Sequence, residues 1–187
     1  MKRIAGLDLS LTCTGVAICV QTLRETKMAT SAIKSTGRKD ATLLDRHERL
    51  TALGQDIIHH ASLCDLVVIE GPFAGVRGGS PIDRHALFWF VAGALIRREV
   101  PVAVVAPTSL KLAIAGKGSA DKAALSASLV KLWPDVDVTS SDVADAAGLA
   151  HLGAVALGWD VPTLERHKQV KWSEWPDSLD QALGDVA

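Results

Sequence analysis

Four carboxylates stand where the surrounding sequence is apolar or made of small residues. Asp8 interrupts the apolar start of the chain, Glu70 ends an apolar run, and Asp142 and Asp145 lie in an alanine-rich segment. A charge in such surroundings is costly unless a cation or a hydrogen-bond network compensates it. The acids are far apart in sequence. Their shared setting therefore constrains the fold, because the elements that carry them are expected to converge.

The order of the apolar segments predicts an α/β sandwich with a mixed sheet. Three strand-like segments come first and can pair as a meander, and helices and strands alternate afterwards. The five predicted strands are residues 3–9, 15–20, 28–33, 65–69 and 101–105. The predicted helices are residues 41–62, 82–98, 108–114, 121–133 and 141–159. We expect one domain over residues 1–159 and a polar tail over residues 160–187 with at most short local structure.

Net charge, cysteine spacing and the length of the apolar segments limit the possible partners and the cellular compartment. The 187 residues carry a formal net charge of −1, so attraction to nucleic acid would have to come from local basic patches. The three cysteines lack Cys-x-x-Cys spacing and indicate neither a disulfide framework nor a zinc ribbon. Asp8 within the first apolar stretch argues against a signal peptide. No segment approaches the length of a membrane span, so we expect a cytoplasmic protein.

Each acid taken alone has a structural explanation. Asp8 and Glu70 could be held by backbone amides at strand or helix ends, and Asp142 is favoured near a helix N-terminus by the dipole. Asp142 and Asp145 are three positions apart and project from one face of their helix. The group of four is more specific than any member. Converging carboxylates repel one another and indicate Mg²⁺ or Mn²⁺, either one ion or two about 4 Å apart.

Motifs around these acids resemble those of a known family, the RuvC-type Holliday junction resolvases of the ribonuclease H-like superfamily, particularly their phage-borne relatives. The resemblance covers roughly residues 3–158, and four motifs in family order are far more specific than one. The motifs are Gly6-Leu7-Asp8-Leu9-Ser10 followed by Thr14-Gly15, Val68-Ile69-Glu70 followed by Phe73, Lys111 with the basic segment at residues 116–122, and Asp142-Val143-Ala144-Asp145-Ala146-Ala147.

The resemblance implies a ribonuclease H-like domain and a Mg²⁺-dependent endonuclease that acts as a symmetric homodimer on four-way DNA junctions. Asp8, Glu70, Asp142 and Asp145 would be the catalytic metal ligands. By their positions in the family motifs, Lys111 and Lys122 would hold the DNA backbone near the scissile phosphate, and Lys122 would also be catalytic. Phe73 would contact unstacked bases. The chain departs from the family pattern at Gly71-Pro72 and in its tail, where Trp172 and Trp175 have no counterpart.

Further DNA contacts are predicted outside the acidic motifs. Arg77 in the glycine-rich loop and Lys117 are candidates, and so is a basic patch formed by Arg38-Lys39 with Arg46 and Arg49. For the patch and for Lys117 the alternative is a solvated surface. For Phe73 the alternative is a core position at a strand exit.

The predicted helix at residues 82–98 is the expected surface for dimerisation. It carries more apolar area than one sheet face needs, and two symmetric incisions require two sites related by a twofold axis. The residues expected at this surface are Leu87, Phe88, Val91, Ala92 and Leu95.

Three other functions compete with junction resolution. An actin-like or sugar-kinase-like phosphotransferase shares this type of fold and a similar first hairpin, but 187 residues leave no room for the second domain it needs. A non-catalytic junction-binding module would gain nothing from repelling carboxylates near phosphates. A ribonuclease H that cleaves RNA–DNA hybrids is disfavoured by the Asp-x-x-Asp motif and the basic segment.

Overall fold

A single mixed sheet of six strands organises the chain in the computed structural model, which describes residues 1–71 and 80–179. The strands are β1 Lys2–Asp8, β2 Cys13–Gln21, β3 Thr26–Lys34, β4 Leu66–Glu70, β5 Val102–Val105 and β6 Trp172–Glu174. The sheet order is β3-β2-β1-β4-β5-β6. Strands β1 to β3 form an antiparallel meander, β1, β4 and β5 are parallel neighbours, and β6 is antiparallel to β5.

Helices cover both faces of this sheet, and most begin at a side-chain cap. The helices are α1 Leu43–Ala61, α2 Pro81–Ile96, α3 Pro107–Ala115, α4 Lys122–Leu132, α5 Ser141–Ala156 and α6 Glu165–Lys168. Thr42 caps α1 and exchanges hydrogen bonds with Asp45, while Ser80, Asp121 and Ser140 cap α2, α4 and α5. Such caps satisfy the unpaired backbone N–H groups of a first helical turn. Among the residues that the structure describes, every helix is too short or too polar to cross a membrane.

The strand period of two divides the core between the two faces. Ile4 and Val68 point into one core with α3, α4 and α5, whereas Leu7 and Ile69 point into the other with α1 and α2. The continuous apolar runs of β1 and β4 are therefore explained by burial on both sides. The predicted mixed α/β fold is confirmed.

Two glycines allow α5 to lie directly on β1 and β2. A side chain at Gly6 would overlap the carbonyl oxygen of Ala146, and a side chain at Gly15 would overlap that of Asp142. Glycine inside a strand often marks such a close approach of another backbone. This packing brings the first turn of α5 to the end of the sheet where β1 ends.

The prediction of five strands was one too few. The additional strand, β6, comes from the predicted tail, whose described part reaches residue 179. Three residues are too few to show the alternation that reveals a strand, and only the exposed edge of β5 makes this segment extended. Arg166 fastens the same segment by donating to the carbonyl oxygens of Ala113 and Ile114 at 2.8 and 3.0 Å. The domain boundary at residue 159 stays a prediction.

The residues predicted for dimerisation are buried inside the protomer. Leu87, Phe88, Val91, Ala92 and Leu95 face the core beneath α2. A helix on a sheet needs its apolar face for that packing, so these residues have no surface left for a partner. The exposed side of α2 carries other large apolar residues, namely Ile82, Trp89, Phe90 and Ile96.

Candidate active site

Two of the four acids lie side by side at one end of the sheet. Asp8 is the last residue of β1 and Glu70 the last of β4. These strands are parallel neighbours, and Leu7 is in register with Ile69, one residue before each acid. Parallel strands that end at the same edge bring their following side chains together, so the sheet itself sets this pair.

The other two acids come from the first turns of α5. Asp142 and Asp145 are partly buried, while Val143 and Ala144 between them are fully buried. The missing side chain at Gly15 lets the backbone of Asp142 touch β2. Helix α5 thus carries both acids to the end of β1, as the sequence predicts for converging elements.

Burial and mutual repulsion raise the pKa values of three of these acids. Burial raises the pKa of Asp8 well above its ordinary 3.8, and the charges of Glu70, Asp145 and Asp142 raise it further. Burial and then the Asp145 charge raise the pKa of Glu70 to about 7, although Lys111 and a hydrogen bond from Asp8 oppose the rise. Burial also raises the pKa of Asp145 to about 6, against the lowering effect of Lys111 and Lys122. The four acids therefore form one electrostatic cluster.

Two lysines predicted to serve the site act on this cluster. The ammonium of Lys122 donates to Ser141 Oγ at 2.9 Å and lies 4.0 Å from Asp142 Oδ1. The charge of Lys111, on α3, lowers the pKa values of Glu70 and Asp145. Lys117 is exposed in the segment between α3 and α4. Lys111 and Lys122 thus place positive charge beside the acids.

The predicted arginines at residues 46 and 49 make contacts within the chain. Arg46 donates to both carboxylate oxygens of Asp83, at 3.1 and 2.5 Å. Arg49 donates to the carbonyl oxygens of Leu11 and Ser35 and, at 2.9 Å, to Ser35 Oγ. They join α1 to α2 and to the β1–β2 turn, so they are not simply part of a solvated surface. Their contacts with DNA stay predictions. Phe73 and Arg77 lie outside the described residues.

The donor set of the acidic cluster fits a hard divalent cation. Carboxylate oxygens are the ligands that Mg²⁺ and Mn²⁺ prefer, and a cation would relieve the repulsion that raises these pKa values. With the side chains as they stand, residues 1–71 and 80–179 contain no group of three or more His, Cys, Asp or Glu side chains placed to hold a metal ion. The four acids are therefore suited by the chemistry of their oxygens and by the closeness of their backbones, and binding an ion would require their side chains to rearrange.

Sequence reasoning missed several residues that shape this site. Ser141 receives the Lys122 hydrogen bond and itself lies 3.4 Å from Asp142 Oδ1. Burial raises the pKa of the Cys13 thiol, and a hydrogen bond to Asp142 raises it further. Gly6 and Gly15 stand in the first motif, but their packing role was not predicted, although glycine in an otherwise apolar strand is a known sign of close packing. Ser141 and Cys13 carry no such signal.

Comparison with known proteins points to one family. A family model described as "Crossover junction endodeoxyribonuclease RuvC" matches residues 4–152. A protein of that description from Sphingopyxis alaskensis is 34% identical over 149 residues, covering 79% of this chain and 93% of the relative. Another from Mycobacterium tuberculosis is 28% identical over 167 residues, covering 88% and 85% of the two chains. Similarity to phage-borne members in particular stays a prediction.

Solved structures share the fold at low sequence identity. Thermus thermophilus RuvC superposes with a TM-score of 0.63 at 21% identity, covering 86% of this chain and 99% of that one. The same protein in complex with a Holliday junction substrate gives 0.61 at 18% identity, covering 87% and 100%. The yeast mitochondrial Holliday junction resolvase Ydc2 gives 0.54 at 12% identity, covering 80% and 76%. These likenesses support the ribonuclease H-like fold described above.

Proposed function

Because this chain belongs to the RuvC family of crossover junction endodeoxyribonucleases, we propose that it cleaves four-way DNA junctions by paired, symmetric phosphodiester hydrolysis. One observation links the proposed activity to particular residues. The ends of β1 and β4 and the first turns of α5 gather four acids, and lysines from α3 and α4 act on the same cluster. A set of repelling carboxylates beside lysines suits phosphodiester chemistry and has no evident structural use.

The family is one of metal-dependent nucleases, and we propose Mg²⁺ or Mn²⁺ as the ion, with one or two bound per site. Asp8, Glu70, Asp142 and Asp145 would hold it. When bound, such an ion activates water and stabilises the leaving oxygen of a phosphodiester. The acids supply oxygen ligands and a partly dry setting, in which electrostatic interactions are stronger than in bulk water.

The lysines orient the phosphate in this proposal. Lys122 is held by Ser141 beside Asp142, so its ammonium presents positive charge at the edge of the acidic cluster. Lys111 supports the ionised forms of Glu70 and Asp145, since its charge lowers both pKa values. Both would contact the backbone at the scissile phosphate. Lys117, Arg77 and Phe73 remain proposed DNA contacts around this centre.

Two incisions in opposing strands require two copies of the site, so we propose a symmetric homodimer. The exposed side of α2 offers apolar area for it, because Ile82, Trp89 and Ile96 are all exposed there. Their spacing of seven residues places them on one side of the helix. This surface replaces the buried residues predicted from sequence.

A direct assay tests the activity. The protein is incubated with Mg²⁺ and with four synthetic substrates, namely a four-way junction, a duplex, a fork and an RNA–DNA hybrid. We expect paired incisions in opposing strands of the junction and none in the duplex. Preferential cutting of the hybrid would indicate a ribonuclease H, and binding of the junction without incision would indicate a non-catalytic module. Family membership already decides against a phosphotransferase.

A DNA substrate also supports the proposed cytoplasmic location.

A further inference from the structure

A polar cleft of about 520 Å³ is separate from the acidic cluster, since none of the four acids lines it. It lies between the segment at residues 36–41, the start of α1 and the start of α2. Four of its lining residues are basic and two are acidic, and we call it the basic cleft. These six are Arg38, Lys39, Arg46, Arg49, Asp45 and Asp83.

Pairing of charges inside the basic cleft leaves a positive surplus. Arg38 donates to Asp45 at 3.1 Å, and Arg46 makes a two-pronged pair with Asp83. Within residues 1–71 and 80–179, no carboxylate forms an ion pair with Lys39 or Arg49. Both carboxylates of the cleft are thus neutralised, and two cationic side chains stay available to an anion.

Arg49 is held through two of its guanidinium nitrogens, and within residues 1–71 and 80–179 its third nitrogen, Nη1, makes no hydrogen bond. Its Nε and Nη2 donate to the hydroxyl and carbonyl of Ser35 and to the carbonyl of Leu11. Its Nη1 lies against Gly37, where an added side chain would overlap it. Because neutral groups hold this side chain in place, little conformational entropy is lost when Nη1 binds an anion.

The basic cleft is joined to the active-site end of the sheet. Leu11, which accepts from Arg49, lies in the β1–β2 turn three residues after Asp8. Asp83, which accepts from Arg46, lies in the first turn of α2, the next described helix after Glu70. The Arg49–Leu11 hydrogen bond and the Arg46–Asp83 pair therefore connect the lining of the cleft to the elements that follow the first two acids.

We propose that the basic cleft binds a backbone phosphate of a duplex DNA arm, with Lys39 and the Nη1 of Arg49 as its ligands. The proposal deepens the proposed function and rests on it for the choice of DNA as the source of the phosphate. The Arg38–Asp45 and Arg46–Asp83 pairs shape the walls. They also prevent two carboxylates from repelling the phosphate.

The test measures binding without cleavage. Fluorescence anisotropy in EDTA gives the affinity of the full chain for a labelled duplex and for a four-way junction over a series of salt concentrations. Loss of one phosphate contact reduces the slope of log affinity against log salt by about 0.9. We expect this reduction for Lys39→Gln on both DNAs, and no reduction for Lys39→Arg. Lys2→Gln, an equal loss of charge at the opposite end of β1 from Asp8, is the matched control.

A second variant tests Arg49 without changing any charge. Gly37→Ala should displace the guanidinium and weaken binding of both DNAs, while thermal unfolding confirms that the chain stays folded. The proposal is overturned if Lys39→Gln and Gly37→Ala bind both DNAs as Lys2→Gln does. Failure of the proposed function is a separate result. A wild-type protein that cuts no junction with Mg²⁺, yet loses duplex affinity in these variants, would keep the basic cleft and refute the nuclease.

Discussion

Nε2 of His151, on α5, lies 3.0 Å from Nδ1 of His167, on α6, and both side chains are buried. The indole N–H of Trp133 donates to His151 Nδ1 at 3.2 Å, which leaves the His151 proton on Nε2. That proton is donated to His167 Nδ1, which also accepts from the backbone N–H of Leu164. Neutral His167 then carries its own proton on Nε2, which is buried and has no hydrogen-bond partner among the described residues. A further proton on either ring would place two N–H donors against each other. The C-terminal segment is therefore joined to α5 by neutral histidines.

The histidine pair predicts a loss of stability in mild acid. Burial and the neighbouring charges lower the pKa from 6.5 to about 3 for His151 and to about 4 for His167. The unfolded chain therefore binds more protons than the folded chain below pH 6.5. The stabilising effect is complete above that pH and is lost as the pH falls towards 4. Each histidine contributes a slope of up to about 1.4 kcal/mol per pH unit, measurable by urea unfolding between pH 7 and 5.

Two variants separate this effect from general acid denaturation. His167→Phe should reduce the slope of unfolding free energy against pH, whatever it does to stability at pH 7. His47→Gln, which replaces an exposed histidine on α1, should leave the slope unchanged. Equal slopes in the wild type and in His167→Phe would show that the pair does not control the pH dependence.

The sequence predicted what depends on local patterns. Apolar runs revealed β1 and β4, and the acids that end them lie together because parallel strands end at one edge. The sequence could not reveal relationships that depend on distant partners. Arg46 finds Asp83, 37 positions away, and His151 finds His167 from a tail that showed no periodicity. Apolar residues of α2 were assigned to a partner, because the sequence does not show how much area the sheet covers.

Loss of one acid should abolish incision and spare binding. Asp8→Asn removes one ligand and one repelling charge from the cluster, so junction affinity should be equal or higher. The incision rate should fall by at least about a hundredfold, the upper range seen when groups that support metal ligands are removed. Single-turnover incision and anisotropy in EDTA measure the two effects. Asp56→Asn, an exposed acid on α1, is the control. Parallel loss of binding and cleavage in Asp8→Asn would indicate misfolding instead.

The hydrogen bond between Lys122 and Ser141 predicts a graded effect on rate. Lys122→Ala should reduce single-turnover incision more than junction affinity, since its ammonium lies beside Asp142. Ser141→Ala keeps that charge and loses the 2.9 Å hydrogen bond from Lys122 together with the 3.4 Å contact to Asp142, so its rate should lie between those of wild type and Lys122→Ala. Lys117→Ala removes a nearby exposed charge and should reduce affinity alone. The assignment of Lys122 fails if Lys117→Ala and Lys122→Ala have the same profile.

Close packing of α5 on β2 predicts an intolerance to any side chain at Gly15. In Gly15→Ala the new methyl would meet the backbone of Asp142 and Val143, which cannot move as a flexible side chain would. We expect destabilisation of about 1–3 kcal/mol, typical of overpacking, together with slower incision because Asp142 is displaced. Gly93→Ala is the matched control, since its new side chain would make only an ordinary contact with Arg97. Denaturant unfolding gives both values, and an unchanged free energy in Gly15→Ala would contradict the packing.

The exposed side of helix α2 is the predicted subunit interface of the proposed dimer. Trp89 is 68% exposed, with Ile82 and Ile96 one heptad to either side, and such an apolar stripe pairs well with its own copy across a twofold axis. Trp89→Glu would place a charge at the centre of the pair and should shift the protein to monomers at micromolar concentration in sedimentation velocity. Leu23→Glu adds the same charge at a fully exposed position between β2 and β3 and should leave the dimer intact. A wild-type monomer, with or without junction DNA, would rule out the dimer. A Trp89→Glu variant that remains dimeric would move the interface away from α2.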